Sequence, residues 1–184
     1  MDTATVIAII AVAALVAVVA AGAWYYASRR RTGRLRGRYG PEYDYLSSRD
    51  GRRAAERELA ERERRVRRLA VRELAPEERG RYAAEWQTLQ GRFVDDPTSA
   101  LVEADVLVQK VMDARGYPVT DFEQQAADVS VDHPEVVRNY RAGHSVAQSA
   151  RKGEATTEEL RQAVLNYRAL FAELLGEPAA AGRR

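Results

Sequence analysis

Two histidines, His133 and His144, are the side chains whose type best suits proton transfer or metal ligation near neutral pH. They stand 11 residues apart, about 16 Å along a helix, too far to chelate one ion together. His133 lies beside Asp132 and near Asp128, donors for a weak Asp/His ion site, but a helix-capping segment accounts for the same residues. His144 continues the apolar spacing of Val137 and Tyr140, which predicts a packing residue. Asp95-Asp96 precedes Pro97, where carboxylate oxygens would satisfy the free amides of a new helix.

The absence of cysteine from all 184 residues excludes thiolate zinc sites, iron–sulfur clusters, disulfide scaffolds and cysteine nucleophiles. No Glu-x-x-His pair, phosphate-cradling glycine loop or nucleophile elbow occurs. The expectation is therefore a non-enzyme with no cofactor, no metal and no catalytic residue.

Charge is the strongest remaining signal. Residues 29–72 carry 16 arginines against 7 acids, whereas residues 73–184 carry 13 basic and 19 acidic side chains. Phosphate binding asks only for clustered positive charge, so this block could hold anionic lipid headgroups or nucleic acid. The interleaved acids, and the lack of aromatics between Gly51 and Arg79 to stack on bases, disfavour nucleic acid.

The elements that would position these groups begin with Val6–Ala27, 22 consecutive apolar, glycine or aromatic residues. As a helix this run spans about 33 Å, enough for a hydrocarbon core. The anchor residues are expected to include Val6, Ile10, Leu15 and Val19, with Trp24, Tyr25 and Tyr26 as an interfacial belt. Arg29, Arg30, Arg31, Arg34, Arg36 and Arg38 follow at once, so the positive-inside rule places the N-terminus outside and the soluble part in the cytoplasm. A cleaved signal peptide is the competing reading. Ala21-Gly22-Ala23 resembles a cleavage site, but Met1-Asp2-Thr3 lacks the positive n-region. Ala13, Ala17 and Ala21 form a small-residue stripe that would suit a homo-oligomer contact.

Downstream, the expected order is a transmembrane anchor (1–28), a basic juxtamembrane linker (29–50), a long charged helix (51–75), a helical bundle (76–176) and a disordered tail (177–184). Tyr39, Tyr43 and Tyr45 in the linker are candidate contacts for a protein partner, since amphipathic tyrosines suit interfaces. The alternative is a loosely ordered linker. Within the bundle, Tyr82, Trp86, Leu89 and Phe93 recur at helical spacing, as do Leu101, Ala104, Leu107, Val108, Val111 and Met112. Thr120-Asp121-Phe122-Glu123 predicts a short helix to Ala127, Asp132-His133-Pro134-Glu135 the start of another, and Thr156-Thr157-Glu158-Glu159 the last, closed by Gly176. No stretch alternates with period two, so the fold class is all-α: a single N-terminal transmembrane helix, a long charged helix and a small antiparallel bundle.

The segments RGYPVTDFEQQAADVSVDHPEVVRNYRAGH and GEATTEELRQAVLNYRALFAELLG, with Gly116-Tyr117-Pro118 and Asp132-His133-Pro134 as their most specific pieces, resemble an uncharacterised family of small actinobacterial membrane-anchored helical proteins. The resemblance runs from about Tyr39 to Leu175 and implies the same architecture. It transfers no activity and no functional residue. The expected function is a membrane-anchored interaction or scaffold module with a protein partner. A peripheral electrostatic organiser acting through residues 29–72 is the alternative.

Overall fold

The computed structural model describes residues 2–176, apart from the side chains of residues 3–14, 28 and 31. Seven helices and no strand occur among the described residues: α1 (Thr3–Asp50), α2 (Arg52–Val66), α3 (Pro76–Arg92), α4 (Pro97–Ala114), α5 (Phe122–Asp132), α6 (Val137–Arg151) and α7 (Thr157–Leu175). The chain divides into two compact units, Met1–Arg38 and Tyr39–Arg184. The expected linker is thus helical, and its second half belongs to the same unit as the bundle.

In the first unit, Leu15, Val16, Val18 and Val19 are 62–69% exposed. Among the described residues no helix is long and apolar enough to cross a membrane. Val6 and Ile10, two of the expected anchor residues, have side chains outside the described ones, and Ala13 of the small-residue stripe does too.

In the second unit, α1 breaks at Gly40, whose φ of 44° and ψ of −118° interrupt the helical backbone just before Pro41. Such a positive φ comes without steric cost to glycine. Gly51, at φ 81°, then turns the chain into α2. The segment 41–50 and α2 form a helical hairpin with Tyr39, Tyr43, Leu46, Ala55 and Leu59 buried.

The bundle core is built around α4 and α7. Leu101, Leu107, Val108 and Val111 pack with Tyr140 and Ala147 of α6 and with Leu160, Tyr167, Leu170 and Leu174 of α7. Gly143 lets α6 and α7 approach closely, since a β-carbon there would sit 3.2 Å from the Tyr167 ring. Trp86 stacks on Phe171, with ring centroids 4.6 Å apart, and ties α3 to α7.

Local signals set most helix ends. Asp96 accepts from Ser99 N and starts α4; Thr156 and Glu159 form a reciprocal cap for α7; Gly176 closes it at φ 77°. The charged helix is shorter than expected, ending at Val66. Residues 67–75 instead form a connection docked on the end of α4. Arg72 N donates to Arg115 O at 2.8 Å, Arg115 Nε donates back to Arg72 O at 3.2 Å, and Gly116 lies against the Ala70 carbonyl.

Two helix boundaries differ from expectation. The short helix is capped by Asp121, which accepts from Gln124 N, and continues past Ala127 to Asp132. Burial of Val129 and Val131 carries it onward. Asp132 does not cap the following helix: its carboxylate accepts from Tyr117 Oη at 2.7 Å, while α6 starts at Val137 without a side-chain cap.

Candidate functional site

Among the described residues, chemistry could reside in three polar assemblies and in clefts beside them. The first assembly is the seam between the hairpin and the bundle. Glu42, 1% exposed, accepts from Arg62 Nη1 at 2.7 Å and from Arg141 at 2.6 and 3.0 Å. Arg62 also donates to Glu58 and to Ser130 Oγ, and Arg65 donates to the buried Asp128 at 2.6 Å. Tyr39 Oη donates to Glu63 at 2.8 Å. Each buried charge therefore meets an opposite charge held by another element, as desolvated ions require. Arg65 Nη2 and Arg141 Nε are buried without a hydrogen-bond partner among the described residues.

The second assembly surrounds Asp105 on α4. Its carboxylate accepts from Tyr167 Oη at 2.7 Å and Arg151 Nη2 at 2.7 Å, with His144 Nδ1 at 3.3 Å. Burial pushes the Asp105 carboxyl upward, but hydrogen bonds from His144, Arg151 and Tyr167 outweigh it and hold the group at about 2. The Tyr167 hydroxyl is pushed up by burial and by the Asp105 charge. His144 stacks on Phe122, centroids 3.7 Å apart, and its Nε2 meets Gln148 at 3.1 Å. An Asp–His pair resembles half of a catalytic triad, but this histidine faces a carboxamide and a phenyl ring, with no hydroxyl nucleophile bonded to Nε2. The packing role expected for His144 agrees with this placement, although the sequence concealed its partner Asp105, 39 residues away.

The third assembly contains His133. Arg115 Nη1 meets its Nε2 at 3.1 Å and also donates to Leu174 O, while Glu173 lies 3.4 Å from Nδ1. Burial and the Arg115 charge both lower the pKa of His133, which favours the neutral ring. These groups line a cleft of about 360 Å³ with Glu73, Arg79, Leu174 and Gly176. Arg79 donates to Leu74 O and Glu73, and Arg115 to the Arg72 and Leu174 carbonyls, so both guanidiniums brace backbone of the 67–75 connection, and Arg115 also the last turn of α7. A second cleft lies among Tyr45, Arg49, Glu58, Arg62 and Asp121, and a smaller one between α3 and α4 near Leu89 and Lys110. No cluster of three His, Asp or Glu side chains among the described residues could hold a metal ion.

The residues expected at the membrane and partner surfaces fall into distinct places. Trp24, Tyr25 and Tyr26 are 55–64% exposed, with Arg29 over the Tyr25 ring at 5.0 Å and Arg30 over Tyr26 at 4.7 Å. Arg34, Arg36 and Arg38 are exposed, and the Arg31 side chain lies outside the described ones. The tyrosine trio splits. Tyr39 and Tyr43 are buried at 0% and 4% because they occupy the inward side of the hairpin, so they offer no surface to a partner. Tyr45 remains exposed, flanked by the guanidiniums of Arg141 at 4.6 Å and Arg49 at 5.6 Å.

The arginine block is equally divided. Arg62 and Arg65, which the sequence groups with their neighbours, are engaged in the seam, while Arg53, Arg57, Arg64, Arg67 and Arg68 are exposed. No protein-family model, curated protein or solved structure matches the chain.

Proposed function

We propose that this protein is a single-pass membrane-anchored helical interaction module whose second unit faces the cytoplasm and binds a protein partner. The observation that carries the reading is the solvent-exposed apolar face of Leu15, Val16, Val18 and Val19, followed by tyrosines lying under Arg29 and Arg30. Four large aliphatic side chains within five residues, each more than half exposed, suit lipid better than water. Aromatic rings capped by cations suit the headgroup layer that follows. The arginines from Arg29 to Arg38 supply the charge asymmetry for an N-out, C-in topology and contacts to anionic headgroups.

A binding role for the second unit is supported by how its polar groups are used. The buried carboxylates Glu42, Asp105 and Asp128 are each held by an arginine of another helix, which suits a structural use. The seam fixes the hairpin on the bundle and leaves Tyr45 exposed beside the exposed Arg49, an aromatic and cationic pairing enriched at interfaces.

Because the chain has no cysteine, topology can be tested with single reporters. Asp2→Cys should react with a membrane-impermeant maleimide in intact cells, and Ser145→Cys only after permeabilisation. Alkaline carbonate should leave both variants in the membrane fraction. Reaction of Ser145→Cys in intact cells, or release by carbonate, defeats the reading. For the partner, Tyr45→Ala should lose a salt-resistant protein recovered with the wild-type chain from detergent-solubilised membranes.

A further inference from the structure

The solvent face of α2 is a row of arginines. Taking α2 at 3.6 residues per turn, Arg53, Arg57, Arg64 and Arg67 fall within a sector of about 80°, with Ala60 between them. All four arginines are exposed. Ala55, Leu59, Arg62 and Val66, which α2 buries, lie on the opposite side. Arg53, Arg57 and Arg64 have no carboxylate partner among the described residues, and Arg67 reaches Glu63 only at 3.7 Å. Glu56 and Glu61 border the row without interrupting it. From Arg53 to Arg67 it extends about 21 Å at 1.5 Å per residue.

The geometry points to a docking surface for an anionic lipid bilayer, a second contact beyond the arginines that follow the apolar run. It rests on the membrane-anchored reading. A straight row of cations on one rigid helix complements a flat sheet of phosphates, where each basic side chain adds attraction. A chain tethered 25 residues upstream of Arg52 keeps that sheet at high effective concentration. Single-stranded nucleic acid is the poorer match, because the row contains no aromatic ring on which a base could stack. The inward side of α2 is already committed to Glu42, Ser130 and Asp128 through Arg62 and Arg65, so the row stays on the outside of its own unit as long as the seam holds.

The test uses the full chain with one spin label at Ala60→Cys, placed in nanodiscs of phosphatidylcholine alone or with added phosphatidylglycerol. Phosphatidylglycerol should shield the label from a water-soluble nickel relaxant, and rising salt should reverse the effect. Each of Arg53→Gln, Arg57→Gln, Arg64→Gln and Arg67→Gln should lower the docked-to-free ratio about fivefold. Arg138→Gln with Arg168→Gln, exposed elsewhere on the bundle, should leave it unchanged. Absence of a lipid response, or an equal response in the quadruple variant, overturns the proposal. Equal shielding by single-stranded RNA on phosphatidylcholine discs overturns it in favour of nucleic acid. Co-elution is read separately: a chain held by neither disc defeats both readings. Retention only by phosphatidylglycerol discs, lost in the quadruple variant, supports the row and defeats the anchor.

Discussion

Arg62 of α2 and Glu42 of α1 meet at 2.7 Å with side chains 4% and 1% exposed, so the two helices of the hairpin share a desolvated ion pair. Arg141 of α6 closes the same carboxylate from the bundle side at 2.6 Å. Removing Glu42 would leave Arg141 without its counter-ion and Arg62 with only Glu58, whose side chain is 38% exposed. Glu42→Ala should therefore destabilise the second unit by about 3–5 kcal/mol, while replacing all three groups with apolar residues of similar volume should restore most of the loss. Urea unfolding of a Trp24→Phe background, in which Trp86 is the sole tryptophan, measures both.

Acid should weaken the bundle through Asp105. Its folded pKa of about 2 lies below the ordinary 3.8, so its contribution is present above pH 3.8 and lost as pH falls through about 2. Glu78, held at about 2 by Arg72 and the Ala75 amide, acts in the same direction. Thermal unfolding between pH 5 and 2 should show the decline. Asp105→Asn should flatten it and lower stability at neutral pH.

Gly116 tolerates no side chain. At φ 92°, a β-carbon would lie 2.7 Å from the Ala70 carbonyl oxygen, so strain and collision add. Gly116→Ala should destabilise by about 2 kcal/mol. Gly153, at φ 75° but with open space around it, should lose only about 1 kcal/mol on the same change. The same urea experiment ranks the two.

Trp86 Nε1 is buried without a hydrogen-bond partner among the described residues, yet its ring stacks on Phe171. Trp86→Phe removes the orphan donor and keeps an aromatic ring, so its cost should stay below about 1.5 kcal/mol. Trp86→Ala should cost about 3–5 kcal/mol. Equal losses in thermal denaturation would show that the retained ring contributes nothing, by stacking or by volume, and would defeat the prediction.

Helical class, the cores of α3, α4 and α7, and the caps at Asp96, Thr156 and Gly176 were legible because they depend on residues within one turn of each other. The seam was not. Nothing near Arg62 in sequence marks it as buried, since its partners Glu42 and Ser130 lie 20 and 68 residues away. Tyr39, Tyr43 and Leu46 do recur at spacings of four and three, a readable inward stripe. Gly40-Pro41 and the surrounding arginines masked it, because the same dipeptide that suggests a loose linker here only breaks α1. Asp132 misled for a related reason: Asp-x-Pro-Glu suits a helix start, but Tyr117 claims the carboxylate.

The connection from residue 67 to residue 75 has a mechanical consequence. Its backbone is stitched to the end of α4 at Arg72 and Arg115 in both directions and pressed on Gly116. Tension applied to α2 thus divides between the covalent path into α3 and a hydrogen-bonded shunt into the C-terminal turn of α4. Arg115 passes that load to the Leu174 carbonyl, so a pull on the hairpin is felt at the far end of α7.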